Sequence, residues 1–191
     1  MRHMRVCLLL VVVILLAGVC YSQQIEFKLL ATNKTSTTQK EMQEAADAGF
    51  RFAGVMGGDT SFGGSEVVTI MQRIGDDRKG RFAYKLLATS KTSTMQKELQ
   101  QLGNEGFEYK GQTVFETAFG GQEVVVILEL DRDAETRRRY EYLLLATKKT
   151  STMQKELNAA GEQGYEFVGV TVSKTKFAGT EVISILRRAV K

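Results

Sequence analysis

One octapeptide, Lys-Thr-Ser-Thr-X-Gln-Lys-Glu, occurs three times in the chain and holds most of its candidate chemistry, at residues 34–41, 91–98 and 149–156. A lysine and three hydroxyl groups at the start of a predicted helix would surround backbone N–H groups, where the helix dipole favours negative charge. We therefore expect a ligand contact there, or alternatively a structural role in which Ser36 or Thr37 caps the helix. The candidate ligand-binding residues are Lys34, Thr35, Ser36, Thr37, Lys91, Thr92, Ser93, Thr94, Lys149, Thr150, Ser151 and Thr152.

A second candidate chemistry is carried by Glu66, Glu123 and Glu181, which open the last predicted strand of each repeat after a glycine-rich loop. Paired with a carboxylate such as Glu41, one of them could serve as general acid or base in glycoside hydrolysis. Alternatively, each is an edge charge that blunts sheet pairing. The pattern fixes no separation between carboxylates, so no catalytic residue is assigned.

The first 22 residues resemble an export signal. Arg2, His3 and Arg5 form a basic start, and the 14 apolar residues of Val6–Val19 are too few for a membrane span. We expect cleavage after Ser22, no stable membrane span afterwards, and a periplasmic or secreted protein. Lipoprotein processing at Cys20 and an uncleaved anchor are the alternatives.

Loss of this leader narrows the possible chemistry, because Cys7, Cys20 and His3 lie within it. The remaining 169 of the 191 residues contain no cysteine, histidine, tryptophan or proline. Disulfides, Cys/His metal sites and Ser-His-Asp triads are therefore excluded, and we expect no metal and no cofactor. The formal net charge falls from +4 to +2 with the leader, which argues against a nucleic-acid partner.

The octapeptide belongs to a longer repeat with offsets of 57 and 58 residues. Alternating apolar residues predict a strand at Ile25–Thr32, and an amphipathic helix follows that starts near Ser36 and stops at Gly49. Two further strands are predicted at Phe50–Val55 and Glu66–Arg73, joined by a glycine-rich loop over Gly57–Gly64. Each unit is thus β-α-β-β, and the units span residues 23–74, 81–130 and 140–191.

These units predict an α+β fold of three small three-stranded sheets, each with one covering helix. The last strand is apolar on both faces, as in Val124–Leu128, so each sheet needs a second cover. Ala46, Gly103 and Gly161 are small enough to let a helix lie close to a sheet. We expect a compact pseudo-threefold assembly with helices outside. The alternative is a linear array whose bare faces are covered by a partner or by self-association.

Several short motifs resemble a known family. They are Tyr84-Lys85-Leu86-Leu87, Leu157-Asn158 with Gly161, Gly164-Tyr165-Glu166-Phe167-Val168, and the apolar strand Ile183–Arg188. Together they resemble domain of unknown function 4177, a family of short bacterial domains. The resemblance implies a bacterial origin and a β-α-β-β fold, and it implies no activity.

Threefold repetition of a polar loop favours binding over catalysis, since an enzyme with one active site does not need it. We expect a non-catalytic interaction module that presents the three octapeptides to a protein, a glycan or an anionic ligand. The alternative function is an extracytoplasmic hydrolase of polysaccharide or cell-wall material that uses the glutamates named above.

Overall fold

The computed structural model describes residues 24–60, 64–75, 78–116, 122–175 and 179–190. The predicted export signal lies outside these residues, and so do Phe62, Phe119 and Phe177, which keep register between the repeats. Within the described ranges, no helix combines the length and the apolar character that a membrane crossing requires.

Three β-α-β-β units follow one another, which confirms the α+β class and the repeat. Unit 1 contains β1 (Ile25–Thr32), α1 (Thr35–Asp47), β2 (Arg51–Thr60) and β3 (Gly64–Ile74). Unit 2 contains β4 (Phe82–Thr89), α2 (Thr92–Asn104), β5 (Glu108–Glu116) and β6 (Gln122–Asp131). Unit 3 contains β7 (Arg139–Thr147), α3 (Thr150–Glu162), β8 (Glu166–Thr175) and β9 (Gly179–Val190).

Each unit forms its own three-stranded sheet, with the last strand in the centre and antiparallel to both neighbours. The first strand of every unit is therefore an edge strand. The second strand is longer than predicted, because Gly57 and Gly58 continue the ladder opposite Val67 and Glu66 instead of forming a loop. A side chain at Gly57 would meet the carbonyl oxygen of Val114 in unit 2, so glycine allows a close approach here.

The helix starts differ from the prediction, and the helix ends agree with it. Lys34 is the N-cap of α1 and no side chain caps the helix, so the expected capping by Ser36 or Thr37 is wrong. The helix begins before those hydroxyls, in a turn where the Lys34 N–H donates to Thr32 Oγ1 at 3.1 Å. Gly49, with φ of 93°, follows the last turn in the left-handed conformation that glycine favours.

The helices of units 1 and 2 are each packed between two sheets. Met42 and Ala45 of α1 contact Met71 of their own sheet on one side and Tyr84 and Ile127 of unit 2 on the other. In the same way, α2 contacts β4 of its own unit and β7 of unit 3. The units therefore stack in series, each helix serving its own sheet and the next.

This stack differs from a closed pseudo-threefold assembly with helices outside. Phe27, Tyr84 and Tyr142 occupy the same position in successive units, yet their exposed fractions are 68%, 3% and 2%. Closure about a threefold axis would bury all three alike. The exposure of Phe27 follows because, among the residues that the structure describes, no helix precedes unit 1 and covers its sheet.

The small residue predicted within each helix lies against the following unit in α2 but not in α3. A Cβ at Gly103 of α2 would meet the carbonyl oxygen of Tyr140 and, at 2.9 Å, the ring of Tyr142. At the equivalent Gly161 of α3, a Cβ would find no atom within 4 Å. The glycine thus allows α2 to approach β7 closely.

Alanine substitutions at these two glycines should have opposite effects. We expect Gly103→Ala to lower the free energy of unfolding by about 1–3 kcal/mol, because the added methyl group meets backbone. Gly161→Ala should raise it by up to about 1 kcal/mol, because alanine is the better helix former and nothing obstructs it. Urea denaturation in dilute solution measures both, and equal effects would contradict the stacked arrangement.

Candidate functional site

The glutamine of the first octapeptide binds the edge strand of unit 2. Gln39 Oε1 accepts a hydrogen bond from the Leu86 N–H at 2.9 Å. One turn later, Gln43 accepts from the Tyr84 N–H at 3.1 Å and donates to the Phe82 carbonyl at 3.3 Å. These amides thus pair the outer polar groups of β4, which its own sheet leaves unpaired.

The second junction repeats these contacts. Gln96 accepts from the Leu144 N–H at 2.7 Å and donates to the Tyr142 carbonyl at 2.8 Å. Gln100 accepts from the Tyr142 N–H at 3.1 Å and donates to the Tyr140 carbonyl at 3.3 Å. Sequence reasoning missed this role, although two glutamines four residues apart in both units were its visible signal.

The lysine, serine and threonine side chains of the octapeptides differ in their exposure to solvent. Lys34 and Ser36 are exposed, as are Lys91 and Ser93, whereas Thr35, Thr37, Thr92 and Thr94 are half-buried. In the third copy Lys149, Thr150, Ser151 and Thr152 are all exposed. None of the three helices has a side-chain cap at its first turn.

Successive octapeptides lie next to each other. Thr35, Ser36 and Gln39 of the first copy line a cleft of about 360 Å³ together with Glu98 of the second copy. Because the second junction repeats the hydrogen bonds of the first, the third copy follows in the same direction. We call this arrangement of residues 34–41, 91–98 and 149–156 the octet row.

The candidate glutamates lie at the same end of each sheet as the octapeptide starts, because the residues that follow them pair with Thr32, Thr89 and Thr147. Glu66, Glu123 and Glu181 lie near the start of β3, β6 and β9, opposite Gly58, Phe115 and Ser173 across their hairpins. Each belongs to a different unit. Over the described ranges, no cluster of three or more acidic, histidine or cysteine side chains could hold a metal ion.

A buried carboxylate that the sequence did not reveal joins units 1 and 2. Glu129 on β6 is 3% exposed and accepts hydrogen bonds from Arg51 Nη2 at 2.8 Å and from the Tyr84 hydroxyl at 2.6 Å. The hydrogen bond with Glu129 raises the pKa of Arg51. Burial, together with the Glu129 charge, raises the pKa of Tyr84. The phenol of Tyr84 therefore stays protonated and donates its hydrogen bond to Glu129.

A second carboxylate, Glu108, lies opposite Glu129 across the ladder and joins units 2 and 3. It contacts Lys110 Nζ at 2.9 Å and Arg187 Nη1 at 2.7 Å. Burial acts to raise the pKa of Glu108, but the hydrogen bonds and charges of Lys110 and Arg187 outweigh it and lower the pKa. Both carboxylates thus act as electrostatic links between units.

The sequence did not reveal these links, because the residues that form them differ in charge from one repeat to the next. Arg51, Glu108 and Glu166 are equivalent positions, and so are Gln72, Glu129 and Arg187. A search for residues shared by all three copies therefore passes over them. At the first junction Arg51 of unit 1 meets Glu129 of unit 2, and at the second Glu108 of unit 2 meets Arg187 of unit 3.

Removing the glutamine amides should affect only those that face a following unit. We expect Gln96→Ala to lower the free energy of unfolding by about 1–3 kcal/mol, because it leaves backbone groups of β7 unpaired. Gln154→Ala is the matched control, since Gln154 is exposed and, among the residues that the structure describes, bonds to Asn158 of its own helix and to no following unit. Its effect should stay within about 0.5 kcal/mol. Denaturant titration of both variants checks this, and equal losses would disprove the junction role.

The Glu108 links also predict a pH dependence. A carboxyl whose folded pKa lies below its unfolded value, about 4.3, stabilises the fold above that value. This contribution is lost as the pH falls from about 4 through the folded pKa. The fall in unfolding free energy between neutral and acidic pH should therefore be smaller in Glu108→Gln than in wild type. Exposed Glu162 provides the control, because Glu162→Gln should leave the profile unchanged.

Comparison of the chain with family models, with curated proteins and with solved structures finds no match.

Proposed function

We propose that this chain is a non-catalytic binding protein whose octet row contacts one extended anionic ligand. The observation that carries the proposal is the adjacency of neighbouring octapeptides, since Thr35 and Ser36 of one copy and Glu98 of the next line one cleft. The charged side chain of this cleft is a carboxylate, so the anionic groups of the ligand are assigned to the exposed lysines at the helix starts. Neighbouring contact sites of this kind suit a ligand that continues from one unit to the next.

The chemistry of each octapeptide supports an anionic ligand. Lys34, Lys91 and Lys149 are exposed beside helix starts that no side chain caps. Backbone N–H groups in the first helical turn have no partner within the helix and favour negative charge. Exposed serine hydroxyls add hydrogen-bond donors, so an acidic polysaccharide is the ligand class that we propose.

Repetition supports a polymer over a small anion. Three equivalent weak contacts to one chain make the second and third binding events intramolecular, which strengthens overall binding without any new contact. Each octapeptide alone therefore needs only modest affinity.

We further propose that the protein meets this ligand outside the cytoplasm, as the leader at residues 1–22 suggests. The motifs of the β-α-β-β unit support a bacterial origin and a relationship to domain of unknown function 4177. Neither proposal is needed for the binding test below.

Removing the three lysines should abolish most of the binding. We expect the triple variant Lys34→Ala, Lys91→Ala, Lys149→Ala to bind immobilised polygalacturonate at least tenfold more weakly than wild type, with an unchanged melting temperature. Neutral dextran should bind neither protein. Surface plasmon resonance at two salt concentrations measures the affinity, which should fall as salt rises.

The matched control removes three exposed lysines outside the octapeptides, Lys28, Lys79 and Lys85. It carries the same change in net charge and should retain most of the affinity. Equal losses in the two triple variants would reduce the binding to general charge attraction. Unchanged binding in the first variant, or a large loss of its stability, would refute the proposed role of the octet row.

A further inference from the structure

The stack begins with an apolar face that the described part of the chain leaves uncovered. This head face consists of Ile25, Phe27, Leu29 and Ile70. Phe27 is 68% and Ile70 42% exposed, whereas their counterparts Tyr84 and Ile127 in unit 2 are 3% and 0% exposed. The difference arises because α1 and β2 cover the sheet of unit 2, whereas none of the described residues covers the sheet of unit 1 in this way.

The stack ends with the elements that form such a cover. In unit 3 these are α3 and β8, and among the residues of α3 only Ala160 is buried. We define the tail face as α3 with the exposed residues Phe167, Val170 and Val172 of β8. In units 1 and 2 the equivalent helices and strands pack on the following sheet.

Aromatic side chains and glycines fit together at both internal junctions. The ring of Phe52 lies 3.1 Å from the site of a Cβ at Gly111, and the ring of Tyr109 lies against Gly169 in the same way. The next aromatic residue in this series, Phe167, is 55% exposed. The corresponding glycine, Gly54 of unit 1, has no atom within 4 Å of its Cβ site. Among the described residues, Gly54 of unit 1 thus has space for an aromatic ring, and the ring of Phe167 in unit 3 has no glycine to pack against.

The glycine within the helix also differs between an internal junction and the tail face. Gly103 of α2 lies against the backbone of Tyr140 in the following unit, and Gly161 of α3 lies in open space. Glycine within a helix is destabilising relative to alanine. Gly161 has no packing reason within one chain, but it has one if an edge strand approaches α3 as β7 approaches α2.

The tail face also has side-chain amides at the positions that bind the next edge strand in the internal junctions. Gln154 and Asn158 occupy the positions of Gln96 and Gln100, and they bond to each other at 3.0 Å on an exposed surface. Phe27 and Leu29 hold the edge-strand positions of Tyr84 and Leu86, whose N–H groups bind glutamines of the preceding helix. The tail face therefore offers amides to an edge strand of the kind that the head face presents.

Charge does not oppose such a contact. In the series of junction pairs, Arg51 with Glu129 and Glu108 with Arg187, the next pair is Glu166 with Gln72. The latter residue is uncharged and can donate a hydrogen bond to a carboxylate. Phe27 lacks the hydroxyl with which Tyr84 accepts a hydrogen bond from the Phe52 N–H of the preceding unit at 2.8 Å, so this junction lacks that contact.

We propose that copies of this chain associate head to tail, with the tail face of one copy covering the head face of the next as consecutive units do within the chain. Because the two faces differ, the contact is heterologous and extends into open arrays or closes into rings. The proposal does not depend on the ligand of the octet row.

Two single variants and their mixture test this association. Sedimentation velocity of the wild type over concentrations on the order of 1–100 μM should show a mass that rises above that of one chain. Phe27→Lys and Phe167→Lys should each weaken association at least tenfold, since each copy then lacks one usable face. An equimolar mixture should form dimers and nothing larger, because one intact tail face meets one intact head face.

Each other outcome overturns the proposal. If the wild type remains monomeric over the whole concentration range, the head face and the tail face do not bind each other. If only one variant loses association, the contact joins identical faces. If the mixture stays monomeric, the lysines act on something other than a shared junction.

Gly161→Gln is a second, structure-preserving test. We expect a melting temperature near that of wild type, because Gly161 is exposed and no atom lies within 4 Å of its Cβ site. Association should be at least tenfold weaker, because a long side chain fills the space of the incoming strand. Alanine is too small for this test, since Ala46 holds the same position at the first junction. Unchanged association in this folded variant would refute the proposed geometry. Phe27 and Phe167 are exposed in the single chain, so melting temperatures of their lysine variants near that of wild type confirm that they fold.

Discussion

Each sheet in this chain has two apolar faces and only one helix of its own, and the rest of the structure follows from covering the second face. The central strand shows the problem most clearly, since Val124, Val125 and Val126 are all buried although they alternate between faces. A three-stranded sheet with one helix is a marginal unit in water. The solution is to use each helix twice, once for its own sheet and once for the next, which makes the units interdependent.

A helix that packs on two sheets needs a suitable surface toward each of them. Against its own sheet it presents side chains such as Met42 and Leu99, which are fully buried. Against the next sheet it meets an edge strand, whose outer N–H and C=O groups would be costly to bury without partners. The glutamine amides supply those partners, and Gly103 brings the α2 backbone close enough to the next strand for them to reach.

Much of this architecture was predictable from the sequence, because the features concerned are local or repeated. The bounds of β1 agree with the prediction, and the glycines after each helix do end it. The relation between units was less accessible. Periodicity shows that a face is apolar but not which element covers it, so Phe27 and Tyr84 look alike in sequence although one is exposed and the other buried.

The candidate site shows the same division. The octapeptide was visible as a motif, but its glutamine was overlooked beside the lysine and hydroxyls, and the expected caps at Ser36 and Thr37 did not form. The Glu108 and Glu129 links were inaccessible, because they change charge between repeats and become neighbours only when the units stack. A comparison between copies detects what they share, whereas the junctions depend partly on what they do not share.

The double use of each helix also sets an order of events during synthesis. The partner of Gln39 is Leu86, 47 residues further along the chain. At about 5–20 residues per second, roughly two to ten seconds pass between the emergence of the two. Throughout that interval one side of α1 is exposed. When β4 emerges it covers that side, and the helix that follows β4, α2, then has one exposed side of its own. Each helix is thus completed only by the repeat that is synthesised after its own.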